Sequence, residues 1–164
     1  MRQDGVDAII EQWRTERTDL DDLLPMEVFG RIYRIAGTMG DRMEKAYAKF
    51  GIGRGEFDVL ATLRRSGAPY DLSPKQLSDT LMLTTGGMTG RLDKLEKAGL
   101  ISRTPDPTDR RSLRAQLTDR GRSLVDDAVA AGLDVQRSVL SHLAPAERQR
   151  LADLLRDLLA AARS

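Results

Sequence analysis

Between residues 73 and 117 the punctuation of the chain leaves little freedom in how it folds. Ser73-Pro74-Lys75-Gln76 is a helix start: the serine hydroxyl caps the helix, Pro74 takes the first position, where no N–H is needed, and Gln76 can bond back to the cap. The helix it opens ends near Leu81. From Thr84 the run TTGGMTGRLDKLEKAG holds three glycines, each costing roughly 1 kcal/mol in a helix relative to alanine. Met88, Leu92 and Leu95 nevertheless keep helical spacing, and Gly99 supplies a stop. This spacing predicts a helix whose first turns accept glycine for a reason other than stability, the alternative being a loop. Residues 100–104 and 112–117 then read as strands around the turn sequence DPTDRR, with Leu113, Ala115 and Leu117 alternating against Arg114 and Gln116.

Helices flank this middle on both sides. Val6, Ile9, Ile10 and Trp13 form one stripe of a short amphipathic helix over residues 6–17. After TDLDDLLP comes a longer stripe, from Val28 and Phe29 through Tyr33, Met39 and Met43 to Tyr47 and Phe50, that ends at Gly51 and Gly53. A third helix turns Phe57, Leu60, Ala61 and Leu63 inward and stops before Pro69. Beyond the strands two more helices are expected, over residues 118–142 and 145–162, the second carrying Leu151, Leu154, Leu155, Leu158 and Leu159 on one side. The expected fold is mainly α with a small two- or three-stranded β wing. Residues 1–52 and 118–164 supply dimerisation helices, residues 53–117 a winged helix-turn-helix, and the whole is one folding unit. The terminal stripes exceed what the compact middle could cover. A second copy of the chain is the expected cover; the alternative is a helical monomer that packs its own termini.

Charge is distributed unevenly behind a formal net of +1. Residues 1–25 hold three Arg against seven Asp or Glu, whereas residues 84–122 hold nine Lys or Arg against five acids. A basic block between acidic flanks suits a polyanion for one segment only, although a solvated face could carry the same charges. The absence of cysteine excludes disulfides, thiolate metal sites and thiol redox chemistry. No apolar run approaches a membrane span, and the first residues lack a signal-peptide pattern, so a cytoplasmic protein is expected. Enzymatic readings find little support. The sole histidine, His142, falls at a helix end, Asp21-Asp22 and Asp126-Asp127 point to opposed faces, and TTGGMTG follows no strand and has no P-loop lysine. No metal or cofactor is expected.

Two short helices joined tightly, the second small or polar at its start, suit insertion into a DNA major groove. Gly86, Gly87 and Gly90 would let backbone approach bases and phosphates; Thr84, Thr85 and Thr89 can donate to phosphates or meet thymine methyls; Lys94 suits a phosphate. Ser73, Lys75 and Gln76 at the start of the preceding helix are assigned to the same face. In the hairpin, Arg110 and Arg111 sit at a tip able to enter a minor groove, with Asp109 placed to pair with one of them; a solvated turn is the bland alternative. A helical protein-interaction module without sequence-specific DNA binding remains the competing class.

The run LTTGGMTGRLDKLEKAGLISRTPDPTDRRSLRAQLTDRG resembles the MarR family of winged-helix regulators, in the recognition helix, the KAGLI-R strand entry, the D--DRR wing and the closing LT--G. The resemblance implies a homodimer on a pseudo-palindromic operator, with two recognition helices about one helical turn apart reading adjacent major grooves and each wing touching the flanking minor groove. Residues 1–24 are surplus to most such chains and resemble the urate-responsive branch. The resemblance to that branch implies an effector pocket built from Trp13, Asp58, Arg91 and Arg103. An aromatic ring can stack on a planar ligand, two arginines can hold its charge, and the carboxylate can bond ring N–H groups. The effector implied is a small anion, either urate or a di- or tricarboxylate.

Overall fold

The computed structural model describes residues 3–82, 84–106 and 113–163, and among them seven helices and three short strands. They fall into two compact units, Met1–Arg42 and Met43–Ser164.

In the first unit, helix α1 (Gly5–Glu16) begins at an N-cap aspartate. Asp4 accepts from the N–H groups of Val6 at 2.7 Å and Asp7 at 3.1 Å, and Asp7 returns the bond to the Asp4 N–H at 2.7 Å. Helix α2 (Leu24–Ala48) starts in this unit, and its Arg31 donates to both carboxylates, to Asp4 at 2.9 Å and Asp7 at 2.6 Å. The latch closes over a small apolar cluster of Val6, Ile10 and Leu23. Gly30 permits the close crossing, since a Cβ there would lie 3.1 Å from Val6 Cγ1.

The second unit is built on α3 (Arg54–Arg65), α4 (Pro74–Leu81), α5 (Thr85–Lys97), α6 (Asp119–Leu140) and α7 (Pro145–Ala161), with strands β1 (Asp71–Leu72), β2 (Ile101–Pro105) and β3 (Leu113–Leu117). The strands form an antiparallel sheet in the order β1-β3-β2, pairing Ile101 with Leu117, Arg103 with Ala115 and Asp71 with Gln116. One core joins these elements: Val59, Leu60 and Leu63 of α3, Leu77 of α4, Met88, Leu92 and Leu95 of α5, Ile101 and Ala115 of the sheet, and Val125 and Ala128 of α6. Tyr47 stacks on Phe57 with ring centres 3.9 Å apart. Burial, followed by the charge of Asp58, pushes the Tyr47 hydroxyl up to about 12. The fold is thus mainly helical with a three-stranded wing, as the periodicities indicate. Strand β1, two residues long, is too short to display any alternation in sequence.

Helix α7 buries no residue, and Leu151, Leu154, Leu155 and Leu159 are all exposed. Among the described residues no helix is long and apolar enough to cross a membrane.

Candidate nucleic-acid interface and effector pocket

Helices α4 and α5 make the helix-turn-helix. Ser73 Oγ accepts from the Gln76 N–H at 3.2 Å and Gln76 Oε1 accepts from the Ser73 N–H at 2.9 Å, the reciprocal cap expected from sequence. Lys75 pairs with Asp79 one turn on, at 2.9 Å and largely in solvent. The turn passes through Met82, exposed and left-handed at φ 52°. Thr84 then caps α5, its Oγ1 accepting from the Gly87 N–H at 3.3 Å, and Thr85 is the first helical residue.

Along α5, Met88, Leu92 and Leu95 are buried while Thr84, Gly86, Gly87, Thr89 and Gly90 are exposed. A Cβ on Gly86 or Gly90 would meet nothing within 4 Å, so packing within the chain does not require glycine at either position. On Gly87 it would approach the capping Thr84 Oγ1 at 3.3 Å.

Two contacts tie α5 to the start of α3. Lys94 Nζ lies 3.0 Å from Glu56 Oε1, and Glu56 Oε2 accepts from the Gly53 N–H at 2.8 Å. Burial pushes the Glu56 carboxyl up, but the Lys94 ammonium and the Gly53 N–H outweigh it and hold the group below its ordinary range. Arg91 Nη1 donates to Gly55 O at 3.3 Å, and a Cβ on Gly55 would sit 2.7 Å from Arg91 Cζ. Nothing local in the sequence marks Gly55 and Glu56 as partners of α5.

Asp58 lies in the field of Arg54, Arg91 and Arg65, yet burial dominates and raises its carboxyl above the ordinary value. The structure therefore brings Asp58 and Arg91 into one electrostatic neighbourhood. Arg103 is held elsewhere on α5, against Asp93 and, at 3.3 Å, Glu96. Its Nε is buried 3.3 Å from the Glu96 carboxylate and makes no hydrogen bond among the described residues. Arg103 also lines a pocket of about 280 Å³ between Pro74 at the start of α4, Thr89 and Leu92 of α5, and Arg114 of β3. Trp13 belongs to the first compact unit, where it is partly exposed. A larger groove of about 890 Å³ in that unit is rimmed by Asp4, Asp7, Glu11, Glu16 and Glu27 against Arg14 and Arg31. Its excess of carboxylates makes it the poorer host for an anion.

Asp109, Arg110 and Arg111 lie outside the described residues. The base of the hairpin is described and firmly anchored. Arg114 donates to Asp71 Oδ2 at 2.7 Å, Asp71 O at 3.2 Å and Asp106 Oδ2 at 3.3 Å. These bonds join β3 to β1 and to the residue following β2. In the sequence Arg114 shows only as an outward residue in an alternating strand.

Comparison with known proteins adds an independent line. A family model described as MarR family matches residues 50–112. The HTH-type transcriptional regulator PecS of Dickeya dadantii is 42% identical over 150 residues, which cover 92% of this chain and 90% of PecS. Among solved structures, apo MarR from E. coli superposes with a TM-score of 0.68 at 26% identity, over 79% of this chain and 96% of that one. The Mycobacterium tuberculosis MarR family protein Rv2887, solved in complex with p-aminosalicylic acid, superposes with a TM-score of 0.62 at 29% identity, over 77% and 94% of the two chains.

Proposed function

The chain belongs to the MarR family of winged-helix, DNA-binding transcriptional regulators, and from that premise we propose that it acts as a homodimer on a pseudo-palindromic operator, as a repressor released by a small anion. The observation that carries the DNA-reading part is the open face of α5. Gly86 and Gly90 have space around them that an alanine would fill without conflict, so their value lies outside the folded monomer. A major groove is the partner that rewards missing side chains at the start of an exposed helix, because backbone can then approach bases and phosphates closely. Lys94 reaches solvent while its partner Glu56 is largely buried, so Lys94 can turn toward a phosphate only by giving up part of its hold on that carboxylate.

A mobility-shift titration with inverted-repeat duplex selected by the protein from its own genome tests this reading. Binding should be dimeric, should exceed that for random duplex, and should weaken steeply with salt through counterion release. Equal affinity for random duplex with a flat salt response would instead favour a protein-interaction module.

The effector part rests on Arg103. Arg103 lines a pocket beside α5 and its buried Nε makes no hydrogen bond among the described residues, so a ligand carboxylate or other planar anion suits it in exchange for Asp93 and Glu96. Arg91 and Asp58, with Trp13, are assigned to the same response, and urate or a di- or tricarboxylate is the proposed class. The aromatic acid bound by Rv2887 supports a carboxylate ligand by analogy. A ligand that releases DNA must prefer the DNA-incompetent arrangement, and a tenfold loss of operator affinity needs only about 1.4 kcal/mol of coupling. Trp13 is the sole tryptophan, so its fluorescence reports binding without a label. Urate, related purines and citrate-like acids should be titrated against fluorescence and operator shift, then repeated with Arg103→Ala. An unchanged response in that variant would remove Arg103 from the site, and a response to carboxylates alone would discard urate.

A further inference from the structure

The turn that follows α5, Ala98 to Leu100, packs against the first turn of α6, which supplies the donors for its carbonyl oxygens. A helix leaves its final carbonyl oxygens without intrahelical donors. Here Arg120 Nη1 donates to Ala98 O at 3.0 Å, Thr118 Oγ1 donates to Gly99 O at 2.9 Å, and the Thr118 N–H donates to Leu100 O at 3.2 Å. The same Thr118 Oγ1 accepts from the Gly121 N–H at 3.0 Å, capping α6. One threonine therefore ties down the turn that follows the reading helix and opens the long helix α6.

Gly121 completes the contact. A Cβ on this residue would lie 1.9 Å from Leu100 O and 2.9 Å from Leu100 C, backbone atoms that cannot swing aside as a side chain can. Glycine is needed here for close approach, since no left-handed backbone conformation occurs at this position. The first turn of α6 is thus pressed backbone to backbone against the turn that follows α5, with three donors holding the two together.

We propose that Thr118, Arg120 and Gly121 form a rigid joint that sets the angle at which α6 presents α5 to DNA, making Gly121 a positioning residue for operator half-site spacing. The inference rests on the dimeric DNA-binding reading. Helix α5 has thirteen residues, hence about 20 Å of length. A tilt of roughly 15° at its C-terminal end would move its N-terminal turn by about 5 Å, more than the 3.4 Å or so between successive base pairs. Two recognition helices tied to one dimer can tolerate little such error, because their separation must match one turn of DNA.

The test begins with an inverted-repeat duplex selected from a random pool by the native protein, then moves its half-site centres apart or together in single base-pair steps. The native protein should show one spacing optimum. Gly121→Ala should lose about tenfold or more at that optimum while its affinity for random duplex changes less than about twofold, and the optimum should flatten or move. Thr118→Val should act in the same direction and Thr118→Ser should restore native behaviour, with circular dichroism and sedimentation establishing a folded dimer in each case. If Gly121→Ala does not fold, the two Thr118 variants decide. A native spacing optimum and native preference over random duplex in Gly121→Ala, or in Thr118→Val where that must stand in, would overturn the joint alone. Absence of any inverted-repeat preference in the native protein would overturn the dimeric reading and the joint with it.

Discussion

Asp58 is an exposed residue on α3 whose carboxyl is nevertheless raised above its ordinary value of 3.8, because partial desolvation outweighs three arginines nearby. In the unfolded chain it ionises first as pH rises; the folded protein keeps the proton longer. Its contribution to stability is therefore fully present below about 3.8 and is lost as pH climbs through the raised folded value. Asp58→Asn removes that loss, so the variant should resist urea better than the native protein at pH 7, with the difference shrinking as pH falls toward 4. A variant less stable at pH 7 would show that the guanidinium charges outweigh burial. A carboxyl kept in place against its own solvation suits a site with a task, and the effector response should weaken in the same variant. Arg114 presents the opposite case, a charge whose loss takes a charged donor away from buried carboxylates. Asp71 and Asp106 are largely buried beside it, so Arg114→Met should cost about 2–3 kcal/mol in denaturant unfolding. A cost within a few tenths would mean that water replaces the guanidinium freely.

At the scale of the element, α5 separates what stability asks from what function asks. Gly86→Ala and Gly90→Ala place a methyl group in open space on a helix, so each should raise stability by roughly 0.5–1 kcal/mol. If the bare backbone serves DNA, each should also weaken operator binding, measured by mobility shift. Higher stability with unchanged affinity would return these glycines to chance. The helix itself was legible because its signals are local: a cap at Thr84, apolar residues three and four apart, a stop at Gly99. The reciprocal cap of α4 was legible for the same reason, its partners lying three residues apart. The ties that orient α5 were not. Arg91 meets Gly55 across 36 positions, Lys94 meets Glu56 across 38, and Arg114 meets Asp71 across 43. No periodicity encodes such pairs, because they arise only when the core of α3, α5 and the sheet has closed. Thus Lys94 was legible as a cation on the reading helix, while its carboxylate partner was not.

At the scale of the whole molecule, the outstanding quantity is apolar surface. Leu154 and Leu159 of α7 are 57% and 54% exposed, Leu133 and Leu140 of α6 are exposed, and Tyr33 of α2 is 72% exposed. Fully covering a leucine contributes about 1.5–3 kcal/mol relative to leaving it in water, so these faces together carry a strong drive toward association. A second copy is the proposed cover, which makes stability a function of concentration. For a dimer of this size, a hundredfold rise in protein concentration should raise the thermal midpoint by about 4 °C, because mass action adds roughly 2.7 kcal/mol against the unfolding entropy of both chains. Deleting residues 145–164 should abolish that dependence, reduce the mass seen by light scattering to the monomer, and remove operator preference while residual salt-sensitive binding to random duplex persists. The two losses should coincide, since a single winged helix retains phosphate contacts but cannot count the turn of DNA between half-sites. A midpoint independent of concentration in the full chain, or a soluble truncated monomer that still selects the inverted repeat, would show that the exposed leucines serve something other than the pairing of two reading helices.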